Sequence, residues 1–90
     1  MAKDPGLGKK IKAEVIGLKG QCNAGHKEGD QLNVSCWDTG GMCGFLYHAI
    51  FPTLQVMQFD GSYPWGTDEA VIHCPDSYNL LTIKLWRVKE

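Results

Sequence analysis

The chain has 90 residues, 43% hydrophobic and 21% charged, with a formal net charge of -1. That length makes one domain with a single modest core, and eleven glycines and four prolines argue for many turns and against a helical bundle. All nine Lys and Arg fall in residues 3–27 or 84–89, so the aromatic-rich middle is acidic and is excluded as a surface for nucleic-acid phosphates.

The N-terminal lysines Lys3, Lys9, Lys10 and Lys12 read as a solvated face. No stretch approaches the roughly 20 apolar residues of a membrane span. Residues 1–20 lack the apolar core of a signal peptide. The expected compartment is the cytoplasm, where cysteines stay reduced and serve as metal, redox or packing residues rather than as disulfides.

Residues 1–10 are charged and punctuated by Gly and Pro, and read as a flexible N-terminal segment ahead of one domain over residues 11–90. From Ile11 to Leu18, Ile11, Ala13 and Val15 alternate with Lys12 and Glu14, the period of a half-buried strand. Residues 20–30 form a glycine-punctuated loop that puts a thiol, Cys22, and an imidazole, His26, four residues apart. Gly29-Asp30 ends the loop. Leu32, Val34 and Cys36 then alternate with Asn33 and Ser35 as a second strand, antiparallel to the first.

Asp38-Thr39-Gly40-Gly41 is the next break, and Asp38 or Thr39 is the expected cap of a helix over residues 41–51. Cys43, Leu46, Tyr47 and Ile50 would share one face of it. Cys43 would lie in the first turn, where the positive end of the helix dipole stabilises a thiolate. Pro52 interrupts the pattern, and residues 53–59 read as a second short helix. The loop over residues 60–66 carries Tyr63-Pro64-Trp65, read as a hydrophobic lid over the core, with the wall of a ligand pocket as the alternative. Residues 70–74 are a short strand, Cys74-Pro75-Asp76-Ser77 a turn, and residues 80–88 the last strand, with Leu81, Ile83 and Leu85 facing the core. The predicted architecture is a small α+β domain, antiparallel β-β-α(α)-β-β.

Cys22, His26, Cys43 and Cys74 offer three thiolates and one imidazole, a donor set used by structural zinc and suited to iron–sulfur clusters. The chain has no C-x₂₋₄-C knuckle, so these ligands would have to converge from the first loop, the helix start and the last turn. A second reading is thiol chemistry, with Cys22 paired to His26 and Cys43 activated at the helix start. The plain alternative is that the cysteines are small buried apolar residues, which suits Cys36 best and leaves it outside the site. His48, in an apolar run, reads as a satisfied, partly buried side chain rather than a ligand. His73 reads as exposed, and Asp30 as a turn former that could orient His26.

The order of these features resembles a small, functionally uncharacterised prokaryotic family of stand-alone proteins of this length. Its pattern is C-x₃-H-x₂-G-D after a strand, G-x-C-P before a helix, an F-G-G-x-x-P-W-like loop, and C-P-D before a final strand. Cys22, His26, Gly29 and Asp30 supply the first motif, Gly41 and Cys43 the second. Phe59, Gly61, Pro64 and Trp65 supply the third, and Cys74, Pro75 and Asp76 the last. The chain departs at Gly44, where the pattern has proline, and at Asp60, where it has glycine. The resemblance implies that Cys22, His26, Cys43 and Cys74 belong together.

The leading expectation is a small cytoplasmic protein with a Cys₃His site for zinc or an iron–sulfur cluster, structural or electron-handling. The second is a thiol-dependent redox or nucleophilic accessory enzyme using Cys22, His26 and Cys43. The third is a small subunit or interaction module, a homo-oligomer or a protein's partner, with the aromatic loop as its contact.

Overall fold

A computed structural model describes residues 2–89. It has β1 (Ile11–Leu18), β2 (Gln31–Val34), α1 (Gly44–Gln58), β3 (Glu69–His73) and β4 (Leu81–Arg87). The strands form one antiparallel sheet in the order β2-β1-β4-β3. The expected α+β architecture is therefore the observed one. The central strands alternate as their sequences require: Ile11, Ala13, Val15, Leu81, Ile83 and Leu85 are all buried. They meet Leu46, Ile50, Leu54 and Met57, spaced three or four residues apart on the buried face of α1. One helix covers one face of the sheet, and Lys12, Ile16, Val71 and His73 stand exposed from the strands. In β1 the register shifts between Val15 and Gly17, a bulge that accommodates Ile16 as an extra residue. Among the described residues, no helix is long and apolar enough to cross a membrane.

The helix differs from its sequence pattern at three points. It runs unbroken through Pro52, so the two helical stretches expected on either side are one. Proline inside a helix removes a backbone donor at a cost of roughly 3 kcal/mol. Burial of Leu54 and Met57 beyond it, each worth about 1.5–3 kcal/mol, offsets that cost. The N-cap is Cys43 itself, with no side-chain cap bond, and neither Asp38 nor Thr39 caps the helix. Gly40 and Gly41 both have left-handed φ, 64° and 91°, which no helix continues through. The Asp38 side chain accepts from the Gly40 N–H instead (2.9 Å). The third point is the C-terminus, where Asp60 takes a left-handed φ of 63° and Gly61 N–H bonds back to the Val56 carbonyl (2.8 Å), as in a Schellman cap.

Cys36 lies beyond the end of β2, in a turn closed by a bridge between Ser35 and Asp38, rather than in the strand's alternation. Its side chain still packs on the core. Gln58, only 1% exposed, explains the turn's position. Its Oε1 accepts from Cys36 N–H (2.8 Å), its Nε2 donates to the Leu7 carbonyl (2.9 Å), and its own carbonyl accepts from Lys9 N–H (2.7 Å). The exposed residues 2–10 are thus tied to the helix end and, through Asp4 and the Ser35 hydroxyl (2.6 Å), to the turn after β2.

Asp60 and Gly44 both stand at helix ends. Asp60 holds the left-handed position at which glycine is favoured, and Asp is among the few other residues that tolerate it. Gly44 is the first helical residue, where proline is favoured. Cys43 before it is extended (φ -65°, ψ 150°), as a residue preceding proline must be, and a Cβ on Gly44 would meet open space. Gly44→Pro should therefore raise stability by about 0.4–1 kcal/mol through the unfolded chain. Urea unfolding should show a higher midpoint at an unchanged slope.

Candidate functional site

Three segments meet at the end of the sheet nearest the start of α1. The loop between β1 and β2 brings Cys22 and His26, the N-cap brings Cys43, and the turn after β3 brings Cys74. All three cysteines are free, half-buried and packed against the core cluster. Cys22 and Cys74, distant in sequence, line one cavity of about 480 Å³ with Phe45, Asp76 and Asn79.

Asn79 brings the two loops together. Its carbonyl accepts from the N–H groups of Lys19 (2.9 Å) and Gly20 (3.0 Å), and its Oδ1 accepts from Gln21 N–H (3.1 Å). Asp76 holds Asn79 in turn: Asp76 Oδ2 accepts from Asn79 Nδ2 (2.8 Å), and Asp76 Oδ1 from the N–H groups of Tyr78 (3.0 Å) and Asn79 (3.3 Å). These bonds, the Asn79 side-chain bond foremost, hold the Asp76 carboxyl below the usual carboxylate range. A carboxyl depressed by folding stabilises above its ordinary pKa, and that contribution is lost as pH falls through the folded value. Acid therefore loosens the turn that carries Cys74. A Cβ on Gly20 would clash with Asn79 Oδ1, so a larger residue there would push that side chain out of its hydrogen bonds.

His26 sits at the second contact. Its side chain is 10% exposed, and its Nε2 accepts a hydrogen bond from Cys43 N–H (3.1 Å). A ring that accepts at Nε2 is neutral and carries its proton on Nδ1, which lies 4.0 Å from Asp30 Oδ2. Asp30 Oδ2 also accepts from Lys27 N–H (2.9 Å), closing the turn behind His26. His26 thus satisfies one of the amide groups at the start of α1 that the helix leaves unpaired. His26 and Cys43 are joined through the Cys43 backbone, while Cys22 and Cys74 share a cavity. Among the described residues, no three His, Cys, Asp or Glu side chains stand together as a ready-made metal-holding group.

The remaining candidates separate cleanly. Cys36 lies away from this end, beside Gln58, and burial followed by the nearby Asp4 charge pushes its thiol up. His48 is exposed on α1 rather than partly buried, because Leu46 and Ile50 take the core face and a residue two positions from each points away from it; His73 is exposed with its Nδ1 against Thr82 Oγ1 (2.9 Å). The aromatic loop does not close the core: Trp65 is 79% exposed and stacks on Tyr63, ring centroids 4.8 Å apart and planes within 7°. Thr67, buried below the loop, accepts from Tyr63 N–H (2.7 Å) and fixes its shape. Trp65 instead lines a groove beside β3. Sequence reasoning missed Asn79. Its only signal was its place three residues after Asp76, the spacing of a side-chain-capped turn. No protein-family model, curated protein or solved structure matches the chain.

The Gly20–Asn79 contact makes a specific expectation. Asn79→Ala should cost about 1–2 kcal/mol, from lost hydrogen bonds to Gln21 and Asp76. Gly20→Ala should destabilise through the clash, and adding it to Asn79→Ala should cost much less than it does alone, because the clashing atom has gone. Chemical denaturation of the two single variants and the double variant measures the coupling. A second expectation concerns Cys36. Its raised thiol leaves little thiolate near neutral pH, so iodoacetamide should label it more slowly than Cys22 or Cys74. Asp4→Asn should speed that labelling, as peptide mapping of timed reactions would read.

Proposed function

We propose that Cys22, Cys43 and Cys74, with His26, take up a thiophilic metal ion, zinc or iron, or an iron–sulfur cluster, as a structural or electron-handling centre in a reducing compartment such as the cytoplasm. One observation carries this reading. Cys22 and Cys74, from loops far apart in the chain, line the same cavity, and Cys43 caps the helix whose Phe45 walls it. Reduced thiols collected this way bind soft metals well, and loading would draw the third thiol in as the loop closes. His26 acts first as a positioning residue for Cys43, because its Nε2 is already engaged by the Cys43 N–H. To ligate through Nε2 it would have to give up that bond. Three thiolates with His26 behind them are therefore the first ligand set to test.

A second reading rests on the same shared cavity. Without metal, Cys22 and Cys74 would serve as a thiol pair for redox or nucleophilic chemistry, beside the Asp76–Asn79 turn. Protein purified without oxygen separates the two. Near-unit zinc or iron, lost in Cys22→Ser and Cys74→Ser but retained in Cys36→Ser, supports the metal centre. No bound metal, and a fold indifferent to chelator, sinks it. A rapidly alkylated Cys22 or Cys74 in metal-free protein would then favour the thiol pair.

A further inference from the structure

β3 is an edge of the sheet, and the direction of its hydrogen bonds says which of its groups are open. Cys74 N–H donates to the Leu81 carbonyl (2.8 Å), and Arg87 N–H to the Asp68 carbonyl (3.0 Å). With the register Ala70↔Leu85 and Ile72↔Ile83, the even-numbered residues bond to β4. The N–H and C=O groups of Glu69, Val71 and His73 therefore point outward, away from the sheet. The other edge differs. There the turn over residues 38–41 backs onto β2 so closely that a Cβ on Gly40 would clash with the Asn33 carbonyl. Natural edges are commonly protected by short length, charged side chains, proline, bulges or covering segments, and of these β3 has its short length and the charge of Glu69. β3 carries no proline, its ladder with β4 has no register shift, and beside it runs a groove of about 400 Å³.

The geometry points to a second copy of this chain as the occupant of that edge, pairing β3 with β3 antiparallel about a two-fold axis at Val71. This register places every outward-facing residue opposite another outward-facing residue, which is the hydrogen-bonded pairing. Val71, 57% exposed, meets Val71 of the second copy. Glu69 meets His73, and His73 meets Glu69. His73 suits this role because its Nδ1 is already against Thr82 Oγ1, which leaves Nε2 for the opposing carboxylate. Glu69, with Lys84 Nζ 3.4 Å from one oxygen, keeps its other oxygen for that imidazole. On the opposite face the half-buried Ala70 and Ile72 come together across the axis, alongside the stacked Tyr63 and Trp65 of each copy. A shift of the axis loses pairs and separates Glu69 from His73. Self-complementarity of one short segment under a two-fold axis is what an isologous interface requires. The pairing would continue the sheet across two chains through up to about six new backbone hydrogen bonds.

Sedimentation equilibrium over a range of concentrations tests this. The full chain should reach twice its 10.0 kDa mass as concentration rises. Val71→Pro removes an outward N–H from each copy and no bond to β4, and should weaken the dimer by at least about tenfold. His73→Glu sets carboxylate against carboxylate and should weaken it similarly, while Glu69→His combined with His73→Glu should restore association. If circular dichroism shows Val71→Pro unfolded, the His73→Glu and double variants decide. Hydrogen exchange should show the Val71 amide protected only at high concentration. A chain that stays monomeric throughout overturns the proposal. So does a His73→Glu variant that dimerises like the original, or a dimer whose Val71 amide exchanges as fast as in the monomer.

Discussion

The bonds from the Asn79 carbonyl and side chain to the backbone of residues 19–21 are the constraint on which the thiol-bearing end of this protein depends. β1 and β4 are neighbours in the sheet, so their adjoining loops leave from the same end. Neighbouring strands do not by themselves make loops meet. Asn79 does so by satisfying three consecutive amides that would otherwise need water, and Asp76 holds Asn79 in the conformation that reaches them. Cys22 and Cys74 share a cavity as a consequence.

A second set of bonds performs the same service at the other end of the helix. Gln58, fully enclosed, satisfies groups from the N-terminal segment and from the turn after β2. A buried amide is costly unless its donors and acceptor are matched, and here both ends of the side chain are. The described residues form one helix on one sheet, a core too small to hold its loops by apolar packing alone. Polar side chains at the helix C-terminus and at the β3–β4 turn complete it. His26 adds a third tie, from the first loop to the start of the helix.

These ties also shape what the thiols can do. Cys43 is held by its backbone, and its sulfur is left to the surroundings of the helix start. Cys22 and Cys74 face a mostly apolar cavity in which Asp76 and Asn79 are largely engaged with each other. Tyr63 and Trp65 lie elsewhere, beside the edge strand β3, while Phe45 and Asp76 from the same middle of the chain line the thiol cavity.

Much of the scaffold was legible in the sequence. Alternation in Ile11–Val15 and Leu81–Leu85 determined two strands and the faces they bury, because a period of two allows only one orientation against a core. The spacing of Leu46 and Ile50 marked the buried face of the helix's first half, although Pro52 hid its continuation through Leu54 and Met57, since local propensity argues for a break that burial overrides. Cysteine and histidine spacing marked the segments of the candidate site. Only the tertiary structure decided that Cys22 pairs with Cys74 in one cavity and His26 with the Cys43 backbone. It alone decided that Trp65 lies outside the core and that β3 is the open edge. The reason is physical: periodicity reports which side of an element is apolar. Which loops touch depends on single hydrogen bonds, such as those of Asn79 and Gln58, between residues that no local pattern connects.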